Sequence, residues 1–161
     1  MDKAMVTVTK GLRHEPNSDA LLLLKAELKY SLAVRAGDAS SGAEIVELFE
    51  DAIKADPSNP MLYINKAACL LQMMGDVAGS MEVLEKAVAA DPTSVSALVQ
   101  LANLRIMVAK SMDDAKGATE LLDKAVALCT ARSDLMETLS VLVATEGRVN
   151  GALLLGRSSM G

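Results

Sequence analysis

The feature that most constrains this chain is a short motif that recurs at an almost constant spacing. Ala52–Pro57 reads Ala-Ile-Lys-Ala-Asp-Pro, and Ala87–Pro92 repeats it as Ala-Val-Ala-Ala-Asp-Pro, 35 residues further on. Related segments occur at Lys124–Leu128 and, in a looser form, at Lys10–Pro16. A period of about 34 residues is typical of proteins built from stacked two-helix units. The spacing therefore predicts a row of helical hairpins.

The residues between these motifs resemble the tetratricopeptide (TPR) repeat. Its second helix carries a small residue, a bulky residue one turn later, then Ala and finally Pro. The matching residues are Ala4, Val8, Gly11 and Pro16; Ile45, Phe49, Ala52 and Pro57; Ser80, Leu84, Ala87 and Pro92; and Ala118, Leu122 and Ala125, with Thr130 in place of Pro. The first helices match at Leu23, Ala26 and Tyr30; at Ile64, Ala67, Ala68 and Leu71; and at Val99, Ala102, Asn103 and Ile106. Small and apolar residues at this spacing form one packing face of a helix.

The repeat pattern predicts an all-α, TPR-type helical-hairpin superhelix, that is, an α-α solenoid. A single domain, 1–161, is expected to contain a half repeat, three hairpins and C-terminal capping helices, with boundaries at 1–16, 17–57, 58–92, 93–130 and 131–161. Proline is expected to end the second helices at Pro16, Pro57 and Pro92. The predicted caps of the following first helices are Ser18, Asn59 and Ser94. Because the first helix of the opening repeat is missing, Met1 is expected to begin a fragment.

The composition supports helices and argues against several classes of protein. Fifty-one per cent of the residues are apolar but only 2% are aromatic, which favours helix packing over strands. A net charge of −5 makes nucleic acid an unexpected main partner, because phosphate binding requires a basic surface. No apolar run approaches the roughly 18 residues that a membrane span needs. We therefore expect no nucleic-acid partner and no transmembrane segment in this chain.

Enzyme chemistry and metal binding have little support in the sequence. His14 is the single histidine, and no nucleophile lies near it in the sequence. Cys69 and Cys129 are 60 positions apart, which matches no zinc-binding spacing and predicts small buried hydrophobes. The acidic residues of the second helices are expected to be solvated. The sequence therefore predicts a protein that is not an enzyme and carries no cofactor.

Two segments resemble a particular TPR family more closely than a generic repeat. The first segment is Asp56–Lys66, which continues to Gly75-Asp76. It is similar to the penultimate repeats of the large TPR receptors of the mitochondrial outer-membrane translocase (TOM complex). Ala118–Leu128 is similar to their last full repeat, and the resemblance covers about residues 43–156. It implies a groove that accepts precursor proteins at the cytosolic face of the mitochondrial outer membrane. The chaperone-binding clamp of that family lies in other repeats.

The predicted binding groove follows from the first helices, which line the concave surface of TPR solenoids. Its residues are expected to be Leu21, Leu24, Leu28, Leu62, Asn65, Cys69, Ala97, Gln100, Leu104 and Met107. Leu and Met at these positions suit an apolar or amphipathic segment of another protein. Asn65 alone would suit a clamp for acidic chaperone tails, so such tails are disfavoured as ligands. The alternative is that these leucines are core residues.

The sequence thus predicts a non-enzymatic protein-binding module. The favoured function is the precursor-binding part of a mitochondrial import receptor, whose ligands are precursor proteins or other polypeptide segments. The alternative is a TPR scaffold subunit that holds one dedicated partner in a multiprotein complex. Self-association is a further possibility, since exposed apolar residues and an open repeat end both favour it.

Overall fold

The computed structural model of this chain describes residues 3–129 and residue 141. Within 3–129 it has seven α-helices: α1 (Lys3–His14), α2 (Asp19–Ala36), α3 (Gly42–Ala55), α4 (Pro60–Met74), α5 (Val77–Ala90), α6 (Val95–Val108) and α7 (Met112–Leu128). A short 3₁₀ helix, Ala39–Ser41, precedes α3. The predicted all-α fold class is confirmed. The predicted capping helices at 131–161 lie outside the described residues, apart from position 141.

The described helices belong to two compact units, with α1 to α5 in the first and α6 and α7 in the second. In the first unit α1 packs on α2, α2 on α3, α3 on α4 and α4 on α5, and α2 also contacts α4. In the second unit α6 packs on α7. The boundary lies between Pro92 and Thr93, where the sequence predicts the end of one hairpin and the start of the next. The grouping of both units into a single domain stays a prediction.

The helix ends follow from local chemistry, with one departure from expectation. Asn59 accepts a hydrogen bond from the Met61 backbone N–H at 3.0 Å, and Ser94 Oγ accepts one from Ala97 N–H at 3.4 Å. Ser18 occupies the N-cap position of α2, but its side chain makes no capping bond. Helices α2 and α4 end at glycines with left-handed backbone conformation, Gly37 and Gly75. Glycine adopts this conformation without the steric penalty that a Cβ imposes.

The core of the first unit confirms the packing positions of the repeat. Ala26, Ala33, Ile45, Phe49 and Cys69 form a buried cluster that joins α2, α3 and α4. The partly buried residues Leu23, Tyr30, Val46, Leu48 and Met73 pack around it. Between α4 and α5, the buried Ser80 hydroxyl donates to the Ala67 carbonyl at 2.9 Å, which satisfies the one polar side chain at that contact. These helices therefore approach closely where the repeat pattern places small residues.

The Gly75→Ala variant is expected to lose about 1–2 kcal/mol of stability. The cost is conformational, because the φ angle of Gly75 is +65° and nothing lies within 4 Å of the position that a Cβ would occupy. Urea denaturation followed by far-UV circular dichroism measures the change. Gly117→Ala, inside α7, is the control and is expected to be neutral or slightly stabilising. Alanine has the higher helix propensity, and the atom nearest the new Cβ, Arg105 Nη1 at 3.3 Å, is the end of a flexible side chain that can shift. Equal losses for both variants would contradict the conformational explanation.

Candidate protein-binding face

Helix α4 leaves one stripe of side chains open while both of its flanks are packed. The stripe consists of Met61, Asn65, Ala68 and Gln72, which follow one another at helical spacing. Met61 is 44% exposed, Gln72 is also exposed, and the other two are half-buried. The buried residues on the flanks are Leu62, Ile64, Ala67, Cys69 and Leu70. This stripe therefore keeps accessible surface along most of the length of α4.

Helix α2 contributes a matching stripe beside it. Leu24 is 42% exposed, Glu27 is half-buried and Ser31 is exposed. Two hydrogen bonds hold the stripes together. Asn65 Nδ2 donates to Glu27 Oε1 at 2.7 Å, and the Tyr30 hydroxyl donates to Gln72 Oε1 at 2.8 Å. We call the combined surface the α2/α4 face: Leu24, Glu27, Ser31, Met61, Asn65, Ala68 and Gln72.

The charge on this face comes from one residue. Among its seven side chains, all of them described, only Glu27 is charged at neutral pH. Two lysines of the same helices are directed to α3 instead. Lys29 pairs with Glu44, and Lys66 Nζ lies 2.8 Å from Glu50 Oε1. The face is therefore a mainly neutral surface with a single carboxylate near its middle.

Four predicted groove residues are packing residues, which corrects the sequence-based prediction for them. Leu62 and Cys69 are fully buried in the first unit, and Ala97 and Leu104 are buried in the second. Cys69 lies in the core cluster with residues of α2 and α3, so the stripe that carries it meets the preceding hairpin rather than a ligand. Burial also raises the pKa of the Cys69 thiol, which keeps it protonated and unreactive.

The other predicted groove residues retain accessible surface. Leu24, Gln100 and Met107 are exposed, and Met107 has 55% of its surface accessible. Leu21, Leu28 and Asn65 are half-buried. Leu21 packs on α1, where its Cδ1 lies 2.9 Å from the place that a Cβ on Gly11 would take. The binding role of these residues stays a prediction.

The sequence analysis missed Glu27, Ser31, Met61 and Gln72 on this face, and it assigned Ala68, which is half-buried in the open stripe, to the packing side of the helix. Their positions in the sequence could have identified them. Each lies three, four or seven positions from Leu24 or Asn65, and residues at these spacings share one side of a helix. The expectation of an apolar groove favoured the leucine positions of the first helices instead. Polar residues on the open side of the first helices were therefore passed over.

A second cleft, of about 300 Å³, lies in the first unit beside α3, α4 and α5. Its lining residues are Glu50, Ile53, Lys54, Tyr63, Lys66, Val83 and Lys86. Each of its lysines is paired with a carboxylate: Lys54 with Asp51 at 2.8 Å, Lys66 with Glu50 at 2.8 Å, and Lys86 with Glu82 at 2.7 Å. Hydrogen bonding to Glu82 also raises the pKa of Lys86. These cations are neutralised internally, so the cleft is a weak candidate for an anion site.

The described residues contain neither a metal site nor a membrane-spanning helix. Within the described residues, no group of three His, Cys, Asp or Glu side chains is arranged to hold a metal ion. In the same part of the chain, no helix has the length and hydropathy needed to span a bilayer. The α2/α4 face is therefore the feature of the described structure that most needs a functional explanation.

Comparison with known proteins identifies the fold. No known protein family and no curated protein matches the sequence. Among solved structures, the MamA RS-1 double mutant is similar with a TM-score of 0.57 and 18% identity, over 77% of this chain and 63% of that one. The Sgt2 TPR domain from Aspergillus fumigatus gives 0.58 and 23%, over 80% and 79% of the two chains. The TPR2B domain of yeast Sti1, solved in complex with pHsp70, gives 0.57 and 22%, over 81% and 95%.

These similarities establish that the chain has the TPR fold. At 23% identity or below they concern the fold alone. The chain spans less than two thirds of the MamA double-mutant structure. What the chain binds must therefore be argued from its own open face.

Proposed function

We propose that this chain is a non-enzymatic protein-binding module that holds a polypeptide segment of a partner on the α2/α4 face. The observation that carries the proposal is that neighbouring stripes on α2 and α4 both keep accessible surface. Leu24 and Met61 are each more than 40% exposed, one on each of the two helices that form the face. Exposed apolar side chains with polar neighbours, on a rigid helical scaffold, suit recognition of a segment with one apolar side.

At a finer level, we propose that the module is the precursor-binding part of a mitochondrial import receptor. The resemblance of Asp56–Lys66 and Ala118–Leu128 to the TOM receptor repeats supports this role. The exposed methionines Met61 and Met107 support it as well, because methionine adapts to ligands of varied sequence. In this role the module works at the cytosolic face of the mitochondrial outer membrane and captures amphipathic targeting segments reversibly.

The second candidate is a scaffold subunit with one dedicated partner. The hydrogen bonds Asn65–Glu27 and Tyr30–Gln72 favour it, because they hold polar groups of the face in a defined arrangement. Such an arrangement suits one matching surface better than many different ones. The two candidates differ in selectivity: a receptor binds several unrelated targeting segments, whereas a scaffold binds a single partner.

A peptide panel distinguishes the candidates. Fluorescence anisotropy is measured with several labelled mitochondrial targeting segments, their scrambled versions and an acidic chaperone tail. A receptor is expected to bind several targeting segments, and Leu24→Asp is expected to raise Kd at least about tenfold because it places a charge where an apolar contact forms. Leu32→Asp is the matched control, since Leu32 is also an exposed apolar residue of α2 but lies on a different side of that helix from Leu24, Glu27 and Ser31.

Each result leads to a different conclusion. Binding of several segments that is lost in Leu24→Asp and kept in Leu32→Asp supports the receptor. No binding to any panel peptide by folded protein contradicts the receptor and favours the scaffold. Equal weakening by both variants would mean that the ligand contacts a surface other than the α2/α4 face.

A further inference from the structure

We infer that Glu27 is the residue through which the α2/α4 face recognises a cationic side chain, so that its ligand is a basic amphipathic segment of a partner polypeptide. This inference rests on the proposed protein-binding function and specifies the ligand class.

The Glu27 carboxylate is held in place but not neutralised. Its Oε1 accepts the 2.7 Å hydrogen bond from the Asn65 amide, which is a neutral donor. No described residue donates a hydrogen bond to Oε2. Every buried side-chain oxygen among the described residues has a hydrogen-bond partner, so Oε2, which has none, is accessible to solvent. A carboxylate oriented through one oxygen, with the other accessible, is prepared to accept a charge-assisted hydrogen bond.

The neighbouring carboxylates of this unit differ from Glu27 in this respect. Glu44 pairs with Lys29, and Glu50 pairs with Lys66. Glu27 is half-buried between α2 and α4 and has no such intramolecular cation among the described residues. Partial burial of an unpaired charge is unfavourable, and a cation from a ligand offsets that cost. The fold therefore supplies internal cations for Glu44 and Glu50 and leaves the half-buried carboxylate on the open face without one.

The ligand also needs apolar residues, because Leu24 and Met61 lie one turn away from the Glu27–Asn65 pair. Leu24 precedes Glu27 by three positions, and Met61 precedes Asn65 by four, so both exposed apolar side chains lie on the same side of the Glu27–Asn65 pair. A ligand that contacts all of them needs Arg or Lys flanked on one side by apolar residues. An amphipathic basic helix has this arrangement.

The same geometry disfavours acidic ligands. Asn65 is the one predicted groove residue suited to binding a carboxylate, and its amide already donates to Glu27. An acidic tail on this face would also lie against the Glu27 carboxylate, and like charges in contact are unfavourable. We therefore assign Asn65 to positioning Glu27 rather than to holding a ligand carboxylate.

The test uses three labelled amphipathic peptides that differ in charge alone. They share one leucine pattern and carry Arg, Gln or Glu at the same positions. They are measured by fluorescence anisotropy on the wild-type chain and on Glu27→Gln, Glu27→Lys and the control Glu47→Gln, whose carboxylate lies exposed on α3. The wild type is expected to bind the Arg peptide at least about tenfold more tightly than the Gln peptide, with the preference declining as salt increases.

The variants give the expected and the contrary outcomes. Glu27→Gln should remove the preference for the Arg peptide over the Gln peptide, whereas Glu47→Gln should keep that preference. Glu27→Lys should make the chain prefer the Glu peptide. Such a reversal supports the inference even if the overall affinity falls, because a general loss of affinity does not change which peptide binds best. Circular dichroism confirms that each variant is folded.

Two results overturn the inference in distinguishable ways. Equal binding of the Arg and Gln peptides by the wild type, unaffected by Glu27→Gln, would remove the role of Glu27 and leave the protein-binding function standing. Binding of none of the three peptides by folded wild type would count against both the inference and the use of this face for amphipathic ligands.

Discussion

Leu104→Asp is expected to unfold the α6–α7 hairpin, with a loss of about 4 kcal/mol or more of the free energy of unfolding. Leu104 is 3% exposed, so the substitution places a carboxylate in an apolar environment and leaves a cavity as well. The sequence analysis placed Leu104 among the predicted groove residues instead. Burial makes unfolding the expected result, because the side chain belongs to the core.

Met107→Asp is the matched control for this prediction. Met107 lies one turn further along α6 and is 55% exposed, so its substitution is expected to change stability by less than about 0.5 kcal/mol. Urea denaturation measured by circular dichroism gives both values, and hydrogen exchange of the α6 and α7 amides localises the loss. A Leu104→Asp chain with the unfolding midpoint of the wild type would show that Leu104 is accessible.

Phe49→Ala is expected to cost about 3–5 kcal/mol. Phe49 is the one phenylalanine of the chain, and it is fully buried in the cluster that joins α2, α3 and α4. Removal of the ring loses its transfer free energy and leaves a cavity between three helices that can collapse only in part. In a repeat fold each hairpin is stabilised mainly by its neighbours, so the whole first unit is expected to lose stability.

Leu24→Ala controls for the loss of an apolar side chain as such. Leu24 is already 42% exposed in the native chain, so this variant is expected to lose less than about 1 kcal/mol. Thermal and urea unfolding of the two variants provide the comparison. A Phe49→Ala loss as small as that of Leu24→Ala would place Phe49 outside the core.

Much of the fold was predictable from local sequence signals. Helix α3 ends at Ala55 and α5 ends at Ala90, each just before an Asp-Pro pair, and α4 begins at Pro60 as expected for proline in a first turn. The repeat residues of three second helices are buried: Ile45, Phe49 and Ala52; Ser80, Leu84 and Ala87; and Ala118, Leu122 and Ala125. Periodicity identifies such residues because one side of each second helix packs in the same way in successive hairpins.

The binding face was predictable from the sequence only in part. The reason is that residues at equivalent repeat positions of α2 and α4 have different surroundings. Leu21 and Leu28 of α2 occupy the same repeat positions as Leu62 and Cys69 of α4, so in sequence the pairs look alike. The α4 residues are buried and the α2 residues are half-buried. Helix α4 packs against both helices of a preceding hairpin, whereas α2 has only α1 before it. Hydrophobicity alone does not distinguish these environments.

The sequence by itself determined that this chain consists of helical hairpins, where most of its helices begin and end, and which side of each second helix is packed. These properties depend on periodicity, capping and proline placement, which act over a few residues. Only the tertiary structure decided which side of the first helices stays open and that Asn65 meets Glu27, 38 residues apart in the chain. Exposure and charge pairing depend on which helices are neighbours in space, and hydrophobic periodicity along one chain does not encode that arrangement.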